Sequence, residues 1–238
     1  MHTLKIAALA LLGLVLAGPS QAFTFVDLGT QAGSPAGDLQ AVEVLASDAG
    51  GSFDVHWGVD DPALSAMATF TVTSFAAGSV VLDITLDHTT DLADSGLTNA
   101  AILSMGFGVD PEVVATLSGV GSVFDTVGTG SGPQRTFPGG FKQIDVCIFA
   151  AGCSGGSINS GLAAGSSDSF QVTLTPESSD FSDGLTLAFF PIKFQTSAGS
   201  FEPPGGFTPP IPEPTSVLLY AAGVMVVGVG GQRRRRAA

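Results

Sequence analysis

Apolar and polar residues alternate with a period of two through most of the middle of the chain. Phe70 and Val72 alternate with Thr69, Thr71 and Thr73, and Val80, Leu82, Ile84 and Leu86 alternate with Asp83, Thr85 and Asp87. Leu103, Met105, Phe107 and Val109 are interleaved with Ser104, Gly106 and Gly108. The same beat runs through Ile144, Val146 and Ile148, through Phe170, Val172 and Leu174, and through Leu185, Leu187 and Phe189. After Pro191 the phase changes to Ile192 and Phe194. Side chains leave a strand on opposite faces in turn, so each run predicts a strand with one buried and one wet face. Turn-forming clusters separate the runs, among them Asp48-Ala49-Gly50-Gly51 and Ala76-Ala77-Gly78. Only Asp110 to Val114, with Pro111 placed to start it, offers even one helical turn. Seven or more short strands with no useful amphipathic helix predict an all-β fold, an antiparallel β-sandwich of jelly-roll-like form.

The two ends break this pattern. Lys5 precedes an apolar run from Ile6 to Leu16, followed by Gly18-Pro19-Ser20-Gln21-Ala22. A basic start, a stretch too short to span a bilayer and a small-x-small exit predict a secretory signal over residues 1–22, cleaved between Ala22 and Phe23. At the other end, no charge occurs from Pro214 to Gln232, and Arg233, Arg234, Arg235 and Arg236 follow. As a helix this stretch reaches roughly 28 Å, close to the thickness of a bilayer's hydrocarbon core. The reading is a single transmembrane helix over 215–232, with the arginines as a topology anchor on the cytoplasmic side. The domain between would span 23–200, with a Pro/Gly-rich linker at 201–210.

Immediately before the span stands Ile211-Pro212-Glu213-Pro214. Pro-Glu-Pro, an apolar span and a terminal arginine cluster together resemble the PEP-CTERM sorting signal, here over residues 211–238. The resemblance implies an exported protein of Gram-negative bacteria that make exopolysaccharide, processed at or beside Pro212, Glu213 and Pro214 by a membrane-embedded exosortase. The motif also makes physical sense. Two prolines fix φ and refuse helix or ladder pairing, so the segment stays extended for an enzyme's cleft, with Glu213 as one charged recognition point. Ile211 and Thr215 are small departures from the family's usual flanks. The stretch Phe141 to Phe149, with Cys153-Ser154-Gly155-Gly156, Gly161-Leu162 and Ser167-Asp168-Ser169-Phe170, is similar to a segment of ectodomains carrying that signal. That second likeness implies a β-sandwich and no known enzymatic chemistry.

Charge narrows the partners. The chain carries a formal −13, but Lys5 and the four arginines lie in the ends. Residues 23–210 keep three cations, Arg135, Lys142 and Lys193, against twenty acidic residues, about −17. Such a domain is repelled by nucleic acid and by anionic lipid. The partners this reading names are Sec-type export machinery, signal peptidase, an exosortase-like enzyme and exopolysaccharide.

Chemistry-bearing residues are sparse. Cys147 and Cys153, the only cysteines, sit six positions apart in a chain read as exported, which favours a local disulfide over a metal or redox site. Trp57, in Asp54-Val55-His56-Trp57-Gly58, is a candidate sugar-stacking face, weighed against a core aromatic, the preferred reading. Asp87, Asp91 and Asp94, followed by Gly96, are calcium candidates, against a solvated acidic turn as the default. Asp60, Asp61, Asp83 and Asp87 are the acids a glycosidase would draw on. Neither His56 nor His88 is accompanied by a nucleophile elbow, a zinc-helix pair or a phosphate loop. The expectation is therefore a non-enzymatic, cofactor-free surface or matrix protein. A carbohydrate-binding module or adhesin is the rival, and a glycan hydrolase a distant third.

Overall fold

The structure is a computed structural model and describes residues 23–29, 39–129, 137–141 and 144–207. Two antiparallel sheets pack face to face, so the predicted all-β sandwich is present. The signal segment, the Pro-Glu-Pro motif, the predicted span and the arginine cluster lie outside the described residues. Among the described residues no helix is long and apolar enough to cross a membrane.

In chain order the strands are β1 (Thr24–Gly29), β2 (Leu39–Val44), β3 (Ser52–Val59), β4 (Leu64–Ala76), β5 (Ser79–Asp87), β6 (Ala100–Asp110), β7 (Val113–Gly119) and β8 (Thr126–Thr129). They continue with β9 (Val146–Phe149), β10 (Leu162–Ala163), β11 (Ser167–Pro176), β12 (Leu185–Ala188), β13 (Ile192–Thr196), β14 (Gly199–Phe201) and β15 (Gly206–Phe207). The one α-helical turn among the described residues, α1 (Leu92–Ser95), is capped at its start by the Asp91 carboxylate, which accepts from Ala93 N. One sheet runs β15-β3-β4-β5-β11-β7. The other runs β1-β2-β12-β6-β13-β14, with β9 and β10 also paired to β6 and β8 paired to β9.

The six-stranded sheet follows the alternation closely. Phe53, Val55 and Trp57 of β3, Ala68, Phe70 and Val72 of β4, and Leu82, Ile84 and Leu86 of β5 face inward. Asp54, Thr69, Thr85 and Ser169 lie opposite one another across four strands on the outer face. A hydrogen bond links Thr69 to Asp54, and another joins Thr85 to Ser169.

The other sheet departs from it. Strand β6 is buried on both faces from Ala100 to Val109, because Phe137 and Ile144 before β9 and the loop around Cys153 after it cover its outer side. The pairing of β6 with β13 shifts between Lys193–Ser104 and Phe194–Ile102, leaving Leu103 as an extra residue. This bulge puts Ile102, not Leu103, in phase with Met105 and Phe107 in the main core. The stretch read as a helical turn at 110–114 instead leads into β7, where Val113 and Ala115 face the core as an edge strand. Burial of these alternating side chains outweighs the local helix-start signal of Pro111.

Candidate functional site

The described residue nearest in sequence to the Pro-Glu-Pro motif is Phe207, so the way the chain reaches Phe207 decides how the domain presents its tail. Residues 201–207 are not a linker. Phe201 ends β14 at the edge of one sheet, and Gly206 and Phe207 form β15 at the edge of the other. The four residues from Glu202 to Gly205 therefore cross from sheet to sheet and close that side of the sandwich. Composition misleads here: Pro203-Pro204-Gly205-Gly206 looks like spacer, yet each residue is held.

The Glu202 carboxylate accepts from the Lys193 ammonium at 2.6 Å, in a largely buried ion pair. Lys193 is the only lysine or arginine among the described residues. Pro203 O accepts from Ile192 N at 3.3 Å, and Pro204 bridges to Pro191. Gly205 N donates to Phe190 O at 2.8 Å. A side chain at 205 has no room: a Cβ would stand 2.5 Å from Val55 Cγ1 and 2.9 Å from Phe190 O. Gly206 and Phe207 pair with His56 and Val55 of β3, and Phe207 N donates to Gln40 Oε1 at 2.6 Å. The Phe207 ring packs against Phe25, Phe53 and Phe190, at centroid distances of 4.6, 5.9 and 5.3 Å.

Phe190 is the hub of this strap. Phe189 and Phe190 are the described non-glycine residues with positive φ, at 71° and 40°, where the chain passes from β12 to β13. Left-handed backbone costs a non-glycine residue roughly 1–3 kcal/mol, so the surroundings must hold it there. They do. The Phe190 ring is wholly buried against Phe53, Phe70 and Phe107. Its carbonyl accepts from Gly205 N and, at 2.6 Å, from Trp57 Nε1.

That last bond corrects the ligand candidate. Trp57 is 3% exposed, its indole N–H spent on a backbone carbonyl, so neither ring face is open for a sugar to stack on. The outward neighbour on β3 is His56, beside Gly206.

The disulfide forms between Cys147 and Cys153. It ties β9 to the loop that covers the outer face of β6. Beneath this loop Ser104 and Lys193 lie opposite each other on β6 and β13. Their groups are committed elsewhere: the Ser104 hydroxyl donates to Cys153 O at 2.9 Å, and Lys193 is engaged by Glu202. The pair therefore props the loop and the strap and is not poised as nucleophile and base. An open groove of about 760 Å³ lies beside the loop, between Thr126–Thr129 and Ala151–Ser154.

The acidic candidates do not converge. Among the described residues no group of three or more His, Cys, Asp or Glu side chains is arranged to hold a metal ion, and Asp91 serves as the helix cap. Two buried polar groups have structural work that their sequence positions do not announce. Asp168 accepts from Ser122 N, Ser122 Oγ, Val123 N and Phe124 N, all at 2.8–2.9 Å, pinning the turn before β8 to β11. Burial acts to raise its pKa, but the hydrogen bonds from Phe124, Val123 and Ser122 outweigh it and hold the carboxyl below its ordinary value. His88 is buried with Nδ1 donating to Leu162 O at 2.9 Å and Nε2 at 3.1 Å from the Thr90 hydroxyl. Burial lowers its pKa despite the opposing backbone bonds to Leu162 and Ala163.

No family model, curated protein or solved structure matches this chain.

Proposed function

We propose that the protein is an exported, non-enzymatic surface or matrix protein. Its β-sandwich is tethered outside the cytoplasm by the C-terminal span until an exosortase-like enzyme processes the Pro212-Glu213-Pro214 region. The observation that carries this reading is the order of the tail: Pro-Glu-Pro, nineteen uncharged residues counted from Pro214 to Gln232, then Arg233 to Arg236. After processing, the domain stays at the cell surface or in the surrounding exopolysaccharide.

Three features of the domain support it. The Cys147–Cys153 bridge suits an oxidising compartment outside the cytoplasm. Phe23, the first residue after the proposed signal cleavage, is buried against Phe53 at 5.0 Å, so the fold uses the chain from that residue onward. At the other end Gly206 and Phe207 are still paired in β15, four positions before Ile211. The carbohydrate-binding rival loses its aromatic platform with Trp57 in the core.

The test is the intact mass of the mature protein from its native host, with and without Pro212→Ala and Pro214→Ala. The expected wild-type species begins at Phe23 and ends near Pro212–Pro214, while the variant keeps its arginines and stays in the membrane. If both forms end at Ala238 and remain membrane-bound, the tail is only an anchor.

A further inference from the structure

We propose that the free edge of β7 is a self-association surface, where two copies of the domain pair β7 with β7 antiparallel about a two-fold axis. The six-stranded sheet ends at β7, which pairs with β11 on one side and with no described strand on the other. Alternate residues along such an edge present N–H and C=O groups outward, a ready template for another strand. Proteins blunt these edges with charge, proline, bulges or brevity. The other edge strands of the described sheets carry such guards. Strand β1 contains Asp27 and a register shift between Asp27 and Gly29, and β8, β10, β14 and β15 have four residues or fewer. Strand β7 runs for seven residues, Val113 to Gly119, with neither charge nor proline. Val114 and Val120, 44% and 67% exposed, are two of the three large apolar side chains that stand out in solvent among the described residues.

Charge points to where a second copy fits. Residues 23–210 carry three cations against twenty acids, so two copies repel one another at most faces and meet most easily where acids are absent. The strand itself sets the register. Its pairing with β11 shifts between Gln171 and Val172, which leaves Ser118 as an extra residue and Val113 to Leu117 as the regular stretch. Centred on Ala115, an antiparallel pair sets Val113 against Leu117, Val114 against Thr116, and Ala115 against its own copy. Opposed residues share a face, so Val113, Ala115 and Leu117 continue the apolar inner side, and Val114 meets a threonine methyl on the outer side. The nearest acids along the strand, Glu112 and Asp110, then face Ser118 and Val120 of the other copy, and no acid faces an acid. The two-fold axis closes the contact on itself, which gives a dimer and not a fibre. Five residue pairs fall well short of the roughly 1,200 Å² of a stable interface, so the dimer is weak and forms where copies are crowded.

The experiment uses the full-length chain in detergent. Both native cysteines are bridged, so an introduced thiol is the one free thiol in each variant. Val114→Cys and Thr116→Cys are oxidised separately and as an equimolar mixture, and the dimers are identified by intact mass. Opposed positions hold their Cβ atoms about 5 Å apart, whereas two copies of one position lie on a diagonal at about 7–8 Å. We expect the mixture to give heterodimer about fivefold or more above either homodimer, beyond statistical mixing. Ala77→Cys, exposed in the turn between β4 and β5, reports random encounter. Equilibrium sedimentation of wild type and Thr116→Lys supplies the second measurement. Thr116 is exposed, so the fold should persist, with buried Trp57 emission unchanged. The added lysine should weaken the dimer about tenfold or more, although it lowers the net negative charge and so eases general repulsion. The proposal is overturned by a wild type that is monomeric at every concentration or by a dimer that Thr116→Lys leaves intact. Cross-linking no greater than that of Ala77→Cys, or heterodimer no more abundant than statistical mixing gives, overturns it equally.

Discussion

Among single residues, two of the buried groups described, Asp168 and His88, set how the domain responds to acid. Asp168 has a folded-state pKa below its ordinary 3.8, so its contribution to stability is full above that value and is lost as pH falls toward the folded pKa. His88 has its folded-state pKa lowered from 6.5, so in the window beneath that value the unfolded chain binds the proton more readily and stability falls with pH. Denaturation midpoints measured from pH 7.5 downward should therefore decline in two stages, the first beginning near 6.5 and the second near 3.8. His88→Leu should flatten the first stage. Asp168→Asn should remove much of the second and cost about 2 kcal/mol at neutral pH, because an amide nitrogen cannot accept from the three backbone N–H groups and the hydroxyl that now meet the carboxylate. A single slope unchanged by either substitution would contradict the assignment. The alternation marks Asp168 only as a polar residue on the inward phase of β11, two positions before Phe170, and its role was not legible because its partners stand more than forty residues away.

Among the elements, legibility followed burial. Strands β4, β5 and β11 were plain because one face is wet and the alternation is clean. Strand β6 reads as a half-exposed strand, since nothing local announces that Cys153 will cover Ser104 and that Phe137 and Ile144 will cover Gly106. The bulge at Leu103 likewise depends on pairing with β13, which no single strand encodes. The Cys147–Cys153 bridge was legible from spacing and context, but its place over β6 was not. It closes a loop with a sequence separation of six, for which chain entropy gives about 2 kcal/mol. Replacing both cysteines with alanine should lower stability by about that amount. Hydrogen exchange should rise first between Ala150 and Gly161, where the loop leans on β6, while β3–β5 stay protected. Uniform loss of protection across both sheets would mean that the loop belongs to the main folding unit.

Over the whole molecule, the strap at 202–207 that closes one side of the sandwich was not legible in the sequence. Prolines and glycines at 203–206 look like spacer by composition, whereas their structural role rests on partners at 190–192 and 55–56. The aromatic cluster that receives Phe207 also receives the first strand described: Phe23 lies on Phe53, and the rings of Phe25 and Phe207 are 4.6 Å apart. Beginning and end of the described domain therefore meet at one corner. A domain with neighbouring ends can be spliced into another protein or rewired. Joining position 207 back to position 23 through a short Gly/Ser bridge, and opening the chain at the Ala77-Gly78 turn, should give a circular permutant that folds with the same buried Trp57 emission. The sandwich would then be a portable cassette, separable from the segments that flank it.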